Sequence, residues 1–438
     1  MLRISTPVRP AWPPIGAPLQ EPTKAQWKVP LGPLQVGAAL PLLEVHSLTQ
    51  RAATGLLSNI VEHPTGRYLS AGQHQFRSLW SRDFCWSVPG LLTIDRGDVV
   101  RDHLRLLISS AHPETGLVPR ALDSINPKMR VVRATLAYAF GLKGAQAAPT
   151  KDLVPEYHEQ NGHPCIDGNL LTILATLAYV DATGDRAFLA EHAPALQRIL
   201  RFYDTRIHDG LIVQPGFSDW QDSVRRDGKT FYTNLLWSVT LTELAERGLL
   251  GVREQQALDV RTAVHATFFD EASGLYRSLA EGPQLSIDGN LLAIDLGFLR
   301  GAQAHSLYAA MKRHPLWSAA NGLPGVVTMP DYPWESRNWT VRIVGLGHYH
   351  DRLAWSWITA MSAKVASRMG DQPEAERILD GLDKLIARDH TVAEIYEPQR
   401  TMKPWQRWLY HSERPFSWGA AATLDAASVV ARNRSASA

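Results

Sequence analysis

Cysteine is scarce in this 438-residue chain: Cys85 and Cys165 are the only two, and they lie far apart. A disulfide framework is therefore excluded, and the pair suits a reducing compartment. Charge of one sign is missing as well. The 45 Lys and Arg face 43 Asp and Glu, leaving a formal net charge of +2 with no basic stripe or charged block. Nucleic acid and anionic membrane are thus not expected as partners. Long apolar runs are lacking too. The stretch 36–45 is apolar but broken by Pro41, far short of the ~20 residues that span a bilayer. Met1 to Gly16 carry four prolines and no apolar run of signal-peptide length. The expected location is cytoplasmic. No phosphate-cradling Gly loop, Ser nucleophile elbow or Cys–His constellation occurs. His158 with His163, and His348 with His350, lack a third ligand at a recognisable spacing. No metal and no cofactor are expected.

What is abundant is tryptophan. Fourteen occur, and many stand beside charged or polar residues: Trp80, Trp220, Trp334, Trp339, Trp405, Trp418. Packing is the ordinary role for any one of them. Carbohydrate pockets, however, use the indole as a flat apolar platform beside groups that bind hydroxyls. Hydrophobic content of 45% with 20% charged residues suffices for a large core.

Residues 1–36 are proline-rich and weakly periodic, and are expected to form an arm. Residues 37–432 are expected to form one domain and 433–438 a flexible tail. Within the domain, helical periodicity alternates with polar, Gly- or Pro-containing loops. Helices are expected near 42–60, 82–94, 97–111, 168–182, 186–205, 231–248, 253–268, 290–300, 302–313, 351–369, 373–388 and 417–431. Strand signals are short and local, at 67–69, 210–213 and 274–277, as decorating hairpins would be. Helices apolar all round, such as Leu170–Tyr179 and Leu291–Phe298, alternate with amphipathic ones such as Arg186–Phe202 and Gln372–Ala387. An all-α fold follows, a closed double ring of inner and outer helices. An internal echo supports it: Ile166-Asp167-Gly168-Asn169-Leu170-Leu171 recurs as Ile287-Asp288-Gly289-Asn290-Leu291-Leu292. Asp167, Asn169, Asp288 and Asn290 are expected first to cap their helices, and second to line a pocket at the helix N-termini.

The chemistry is concentrated in Gly216-Phe217-Ser218-Asp219-Trp220-Gln221-Asp222-Ser223-Val224-Arg225-Arg226. A Gly-started loop there carries two carboxylates, an indole, an amide and two arginines. Sugar chemistry needs a carboxylic acid held protonated, polar groups for hydroxyls and an aromatic face. A solvated loop with a capping acid is the plainer alternative. A partner acid lies near the C-terminus, in Val392-Ala393-Glu394-Ile395-Tyr396-Glu397-Pro398, ahead of a loop with Trp405, Arg407, Trp408 and His411. Glu397 precedes a proline, which favours an extended, structural position. Asp222 is preferred to Asp219 and Glu394 to Glu397, with the rivals kept open. Asp83 beside Arg82 suits either a buried ion pair or a fixed hydroxyl-binding pair. Trp334, Glu335, Arg337 and Trp339 suit the border of a leaving-group subsite.

These motifs resemble those of the six-hairpin (α/α)6-barrel inverting glycoside hydrolases, the group of trehalases, processing α-glucosidases, neutral invertases, mannosylglycerate-type hydrolases and the α-1,6-glucosidase part of glycogen-debranching enzymes. Trp80-Ser81-Arg82-Asp83-Phe84 is similar to the group's Trp-x-Arg-Asp loop, which implies that Arg82 and Asp83 hold the sugar. Asp219-Trp220-Gln221-Asp222-Ser223 resembles the loop of the general acid, with Asp222 in its place. Glu394 in Glu-Ile-Tyr-Glu-Pro resembles the general base. Arg414 to Ala420, with Trp418, is similar to the Phe-Ser-Trp segment after it, and Gly347-His348-Tyr349-His350-Asp351 to a Tyr-His stretch. The resemblance runs over roughly residues 67–431. It implies an (α/α)6 barrel of paired inner and outer helices with short β-hairpins in the loops. It also implies an inverting, exo-acting glycoside hydrolase on a short α-linked oligosaccharide or small α-glycoside. Asp222 would be the acid and Glu394 the base. Trp80, Arg82, Asp83, Asp167, Asn169, Asp219, Trp220, Asp288, Trp334, His350 and Trp418 are the expected substrate contacts. The expected partner is a small carbohydrate, and a homo-oligomer is compatible. The rivals are a sugar-binding protein and a same-fold epimerase or phosphorylase.

Overall fold

The computed structural model describes residues 46–125, 151–159, 161–399 and 401–437, with scattered positions between 129 and 149. The arm expected over 1–36 lies outside the described residues. Twelve helices of nine residues or more have described bounds: α1 His46–Ser58, α2 Ser81–Thr93, α3 Gly97–Ser109, α4 Asp167–Thr183, α5 Arg186–Arg201, α6 Phe231–Glu246, α7 Glu254–Phe268, α8 Ile287–Asp295, α9 Gly301–Arg313, α10 Ser356–Arg368, α11 Gln372–Asp389 and α12 Ser417–Ser437. The last runs on into the stretch expected as a tail. No helix among the described residues is long and apolar enough to cross a membrane.

Two kinds of helix alternate, for the reason the sequence pattern implies. Every residue of α10 from Ser356 to Ser367 is buried, as is every residue of α6 from Phe231 to Leu241. Such helices have no solvent face. On α11 the buried set is Ala375, Ile378, Leu379, Leu382, Leu385 and Ile386, a single stripe at helical spacing. Each of the more buried helices packs on a neighbour with a solvent face: α2 on α3, α4 on α5, α6 on α7, α8 on α9, α10 on α11, α12 on α1. The more buried helices also pack on one another in sequence, α2 on α4, α4 on α6, α6 on α8, α8 on α10 and α10 on α12. Finally α12 returns to α2. That last contact is tight: a Cβ on Gly90 would lie 2.5 Å from Cα of Ala421.

Short antiparallel hairpins join the helices, as expected, for example Ile60–His63 with Gly66–Leu69 and Phe269–Asp270 with Leu275–Tyr276. Two helix starts differ from expectation. The tenth helix begins at Ser356 and not near 351, because Ala354–Trp355 pair with Ile395–Tyr396 and the Asp351 carboxylate binds Arg337 and His348. The eighth begins at Ile287, three residues before the expected Asn290.

The echoed acids and amides do not cap their helices: neither α4 nor α8 has a side-chain cap. Asn169 instead accepts from Val118 N at 2.8 Å and donates to the carbonyls of Gly116 and Ile199, both at 2.9 Å. Asn290 brackets Tyr276 N and O and Ser286 O in the same way, at 2.7–2.9 Å. A third copy exists on α6, where Asn234 brackets Ile212 N and O and Thr230 O. Asn-Leu-Leu thus opens three alternate helices, at 169, 234 and 290. A primary amide does this because it has both acceptor and donors at one end.

Candidate active site

The loop 214–228 joins the turn after Leu211–Ile212 to α6, and it sorts its two acids into different environments. Asp219 is buried and paired with the equally buried Arg226. Its oxygens also take Gln214 Nε2 and Gln221 N, each at 3.0 Å. Despite its burial, this company holds its carboxyl below the ordinary range. Asp222 keeps 31% of its side chain exposed, and Arg82 Nη1 approaches Oδ2 at 3.3 Å. Desolvation raises its pKa, opposed by the charges of Arg82 and Arg120.

Arg82, in the first turn of α2, is the centre of this group. Its Nε and Nη2 clasp Asp167 at 2.7 and 3.0 Å. The second oxygen of Asp167 also receives the Tyr232 hydroxyl at 3.2 Å, and Tyr232 in turn accepts from Trp86 Nε1 at 3.2 Å. Cys165 Sγ lies 3.2 Å from both Arg82 Nη2 and Asp167 Oδ1. Asp167 is thus fully engaged in fixing the guanidinium. Asp83, next in the chain, is half-buried, and burial lifts its pKa to about 7 against the pull of Arg82. Glu159, paired with Arg120, also rises to about 7 through burial, and Arg120 lies 4.8 Å over the Trp80 ring. Asp83, Glu159 and Asp167, with two arginines, therefore converge around Asp222.

Glu394 is held differently. It is 2% exposed and stands just before the strand Ile395–Tyr396. The backbone fixes it on both sides, by Glu394 N to Glu413 O at 3.0 Å and Ser356 N to Glu394 O at 3.1 Å. Tyr349 Oη donates to Oε1, Tyr410 Oη to Oε2 at 2.5 Å, and Glu413 N to Oε2 at 3.3 Å. Burial pushes its pKa up to about 8, while these three donors favour the ionised form. Burial, and then the charge of Glu394, raise the Tyr349 phenol well above its ordinary value, so it stays a hydrogen-bond donor.

The expected tryptophans separate by depth. Trp220 and Trp418 are buried. Trp220 meets Trp355, Trp357, Trp418 and His350 edge-on at 5.0–5.9 Å. Its Nε1 donates to Asp288 Oδ2 at 2.5 Å, which Gln221 Nε2 also reaches at 3.2 Å. These rings form one buried aromatic cluster that anchors the 219–222 loop through its own Trp220. Trp80 is half-buried and Trp334 is 52% exposed. The loop carrying Trp334 is laced to the Asp222 loop, through Asn338 N to Ser223 O at 2.8 Å and Arg225 N to Ser336 O at 2.6 Å. His350 is buried beside Ser223, its Nδ1 2.6 Å from the hydroxyl, and burial drops its pKa far down, so it stays neutral.

Sequence reasoning missed Arg120, Glu159, Tyr349 and Tyr410 as neighbours of the acids. Tyr349 and Tyr410 lay inside stretches already singled out, but only the fold aims both at Glu394. His348 does gather carboxylates, Asp331 and Asp351. Arg352 and Arg337 already neutralise them, so the trio forms an ion-pair cluster. Cavities of about 260 and 270 Å³ lie elsewhere, and neither is lined by Asp222 or Glu394.

No protein-family model matches the chain, and no curated protein matches it. Solved structures do. A GH63 mannosylglycerate hydrolase from Thermus thermophilus, in complex with Tris and D-glycerate, is 15% identical with a TM-score of 0.59, covering 86% of this chain and 99% of that one. A glycosidase E335A variant in complex with glucose is 13% identical with a TM-score of 0.61, over 88% and 96%. A rhamnosidase from Klebsiella oxytoca with rhamnose bound is 14% identical with a TM-score of 0.61; it aligns with 88% of this chain, which spans 64% of its length. At such identities the likeness carries the fold, and the fold that this helical chain shares is that of solved glycosidases.

Proposed function

We propose that the chain is an inverting, exo-acting glycoside hydrolase on a short α-linked oligosaccharide or small α-glycoside. In this reading α2, α4, α6, α8, α10 and α12 are the inner ring of an (α/α)6 barrel, and the substrate enters over Asp222. Asp222 protonates the glycosidic oxygen as the bond to the anomeric carbon breaks. Glu394 takes a proton from the water that attacks that carbon from the opposite face. The sugar leaves with inverted configuration. Arg82, Asp83, Trp80 and Glu159 bind the ring's hydroxyls and face, and the Trp334 loop borders the leaving group. Inversion calls for carboxyl groups ~6.5–9.5 Å apart.

One observation carries the reading: two acids stand in contrasting settings, an accessible Asp222 on Arg82 and an enclosed Glu394 under the Tyr349 and Tyr410 hydroxyls. The fold shared with glycosidases supports it. An epimerase working through histidines fits less well, because His350 is buried, neutral and tied to Ser223. The test is a panel of α- and β-linked disaccharides and of glucosylated or mannosylated small acids, with the first-formed anomer followed by NMR. Release of the β-anomer from an α-linked substrate is expected. A retained anomer would overturn inversion, and product formation only with phosphate would make the enzyme a phosphorylase.

A further inference from the structure

A second cavity on the molecule has the chemistry of an anion site. It measures about 260 Å³ and lies between the end of α11 and the hairpin formed by Gln406–Arg407 and Tyr410–His411. Its walls include Arg388, Asp389, Lys403, Trp405, His411 and Arg414. The only carboxylate among these, Asp389, is already spent: Arg388 holds its two oxygens at 2.8 and 2.6 Å. The same guanidinium donates to the carbonyls of Thr401 and Met402, the latter at 2.8 Å, so it is locked in place. Lys403 and Arg414 have no ion pair with a carboxylate among the described residues, and both are exposed. The Trp405 indole N–H likewise finds no acceptor. Among the described residues, two positive charges without a carboxylate partner and an indole N–H without an acceptor thus border one hollow.

Charge and size narrow the ligand. A lone carboxylate would offset one of the two charges, whereas a phosphate monoester approaches two negative charges and carries three acceptor oxygens. The volume exceeds what a bare phosphate needs and approaches that of small-ligand pockets. Trp405 supplies an aromatic wall, with Arg407 stacked on it at 3.7 Å.

The cavity's walls run straight to the Glu394 strand. Trp405 N donates to Ile395 O at 3.0 Å, Glu397 N to Lys403 O at 2.8 Å, and Ile395 N to Ser412 Oγ at 3.0 Å. We propose that this cavity binds a small phosphate-bearing ligand, and that its occupancy stiffens the strand carrying Glu394. The inference does not depend on the reaction assigned above, because binding and stiffness are read without a substrate.

The test is calorimetric titration of the full chain with inorganic phosphate, a hexose monophosphate, the neutral hexose, and potassium chloride at matched ionic strength. Saturable binding of the phosphates, absent with chloride or neutral hexose, is expected. Lys403→Gln and Arg414→Gln, both at exposed positions, are each expected to weaken it about tenfold, as a lost charge-assisted contact does. Tighter binding of the ester than of phosphate assigns the sugar moiety to the Trp405 wall; equal binding assigns the phosphate group alone. In hydrogen exchange, saturating phosphate is expected to slow the amides of 394–397 and 403–412. Equal affinity in wild type and both variants, or no saturation, overturns the site. Unchanged exchange at 394–397 overturns the stiffening.

Discussion

At the residue scale the decisive contrast is between acids that hold the fold and acids that remain available. Asp219 and Asp222 are three positions apart, yet one neutralises Arg226 in the interior and the other meets solvent beside Arg82. Asp219→Asn leaves a buried guanidinium without its charge partner, and is expected to cost about 3–5 kcal/mol of stability in denaturant unfolding. Asp222→Asn and Glu394→Gln are expected to fold normally. On the best substrate of the panel each should lower kcat/KM by about 10²–10⁴-fold, the usual contribution of a general acid or base. Full activity in either variant would remove that residue from the chemistry. The tyrosines at Glu394 allow a finer test. Tyr349→Phe deletes a donor to the ionised carboxylate, so the Glu394 pKa rises further above about 8. A base works ionised; the acidic limb of the kcat/KM profile should therefore move to higher pH, by about 1–2 units for a hydrogen bond to a charged group. An unmoved limb would show that Tyr349 merely packs.

At the scale of the element, the starts of α4, α6 and α8 are set by asparagine brackets and not by caps, whereas α5 keeps an Asp185 cap. The acids of the two Ile-Asp-Gly-Asn segments were expected at caps because Asp and Asn are the usual N-cap residues. The fold uses the amides otherwise, since they face backbone of neighbouring segments that needs partners: Gly116, Val118 and Ile199 at α4, Ile212 at α6 and Tyr276 at α8. Asn169→Ala strips partners from Val118 N and from the carbonyls of Gly116 and Ile199 at once. Buried polar groups left unpaired cost ~1–3 kcal/mol each, so a loss of about 3 kcal/mol in chemical unfolding is expected. KM on the panel substrate should stay unchanged if the bracket is its whole role; a rise in KM with unaltered stability would instead make Asn169 a sugar ligand. The third Asn-Leu-Leu, at 234, was readable in the sequence. Lacking the preceding Asp-Gly, it escaped the match.

For the whole molecule, the site leaves a mark on stability. Burial raises Asp83 and Glu159 to about 7 and Glu394 to about 8. Each acid therefore gains a proton on folding at any pH between ~4 and its folded value, given ordinary unfolded values. The folded state binds more protons there, so stability falls as pH rises through that window. Asp219 and Asp295 are held below the ordinary range and withdraw their support only in stronger acid. The melting temperature should accordingly be higher at pH 5.5 than at pH 8.5, and Glu394→Gln should shrink the difference. A wild type equally stable at both values would contradict the buried, proton-hungry site.

The sequence by itself determined the helices and their alternation, because burial on one side or on all sides dictates which periodicity a helix can carry. It also placed the acid-bearing loops and the short hairpins, because turn chemistry and Gly positions are local. Only the tertiary structure decided which of two neighbouring acids lost its solvent and found Arg226, and that Tyr349 and Tyr410 would close over Glu394 from different segments. Those outcomes depend on long-range proximity and on desolvation. Burial is not a property of neighbouring residues in the chain, and neither is the meeting of Tyr349 and Tyr410 at Glu394; both arise only when the helices pack and bring separate segments together.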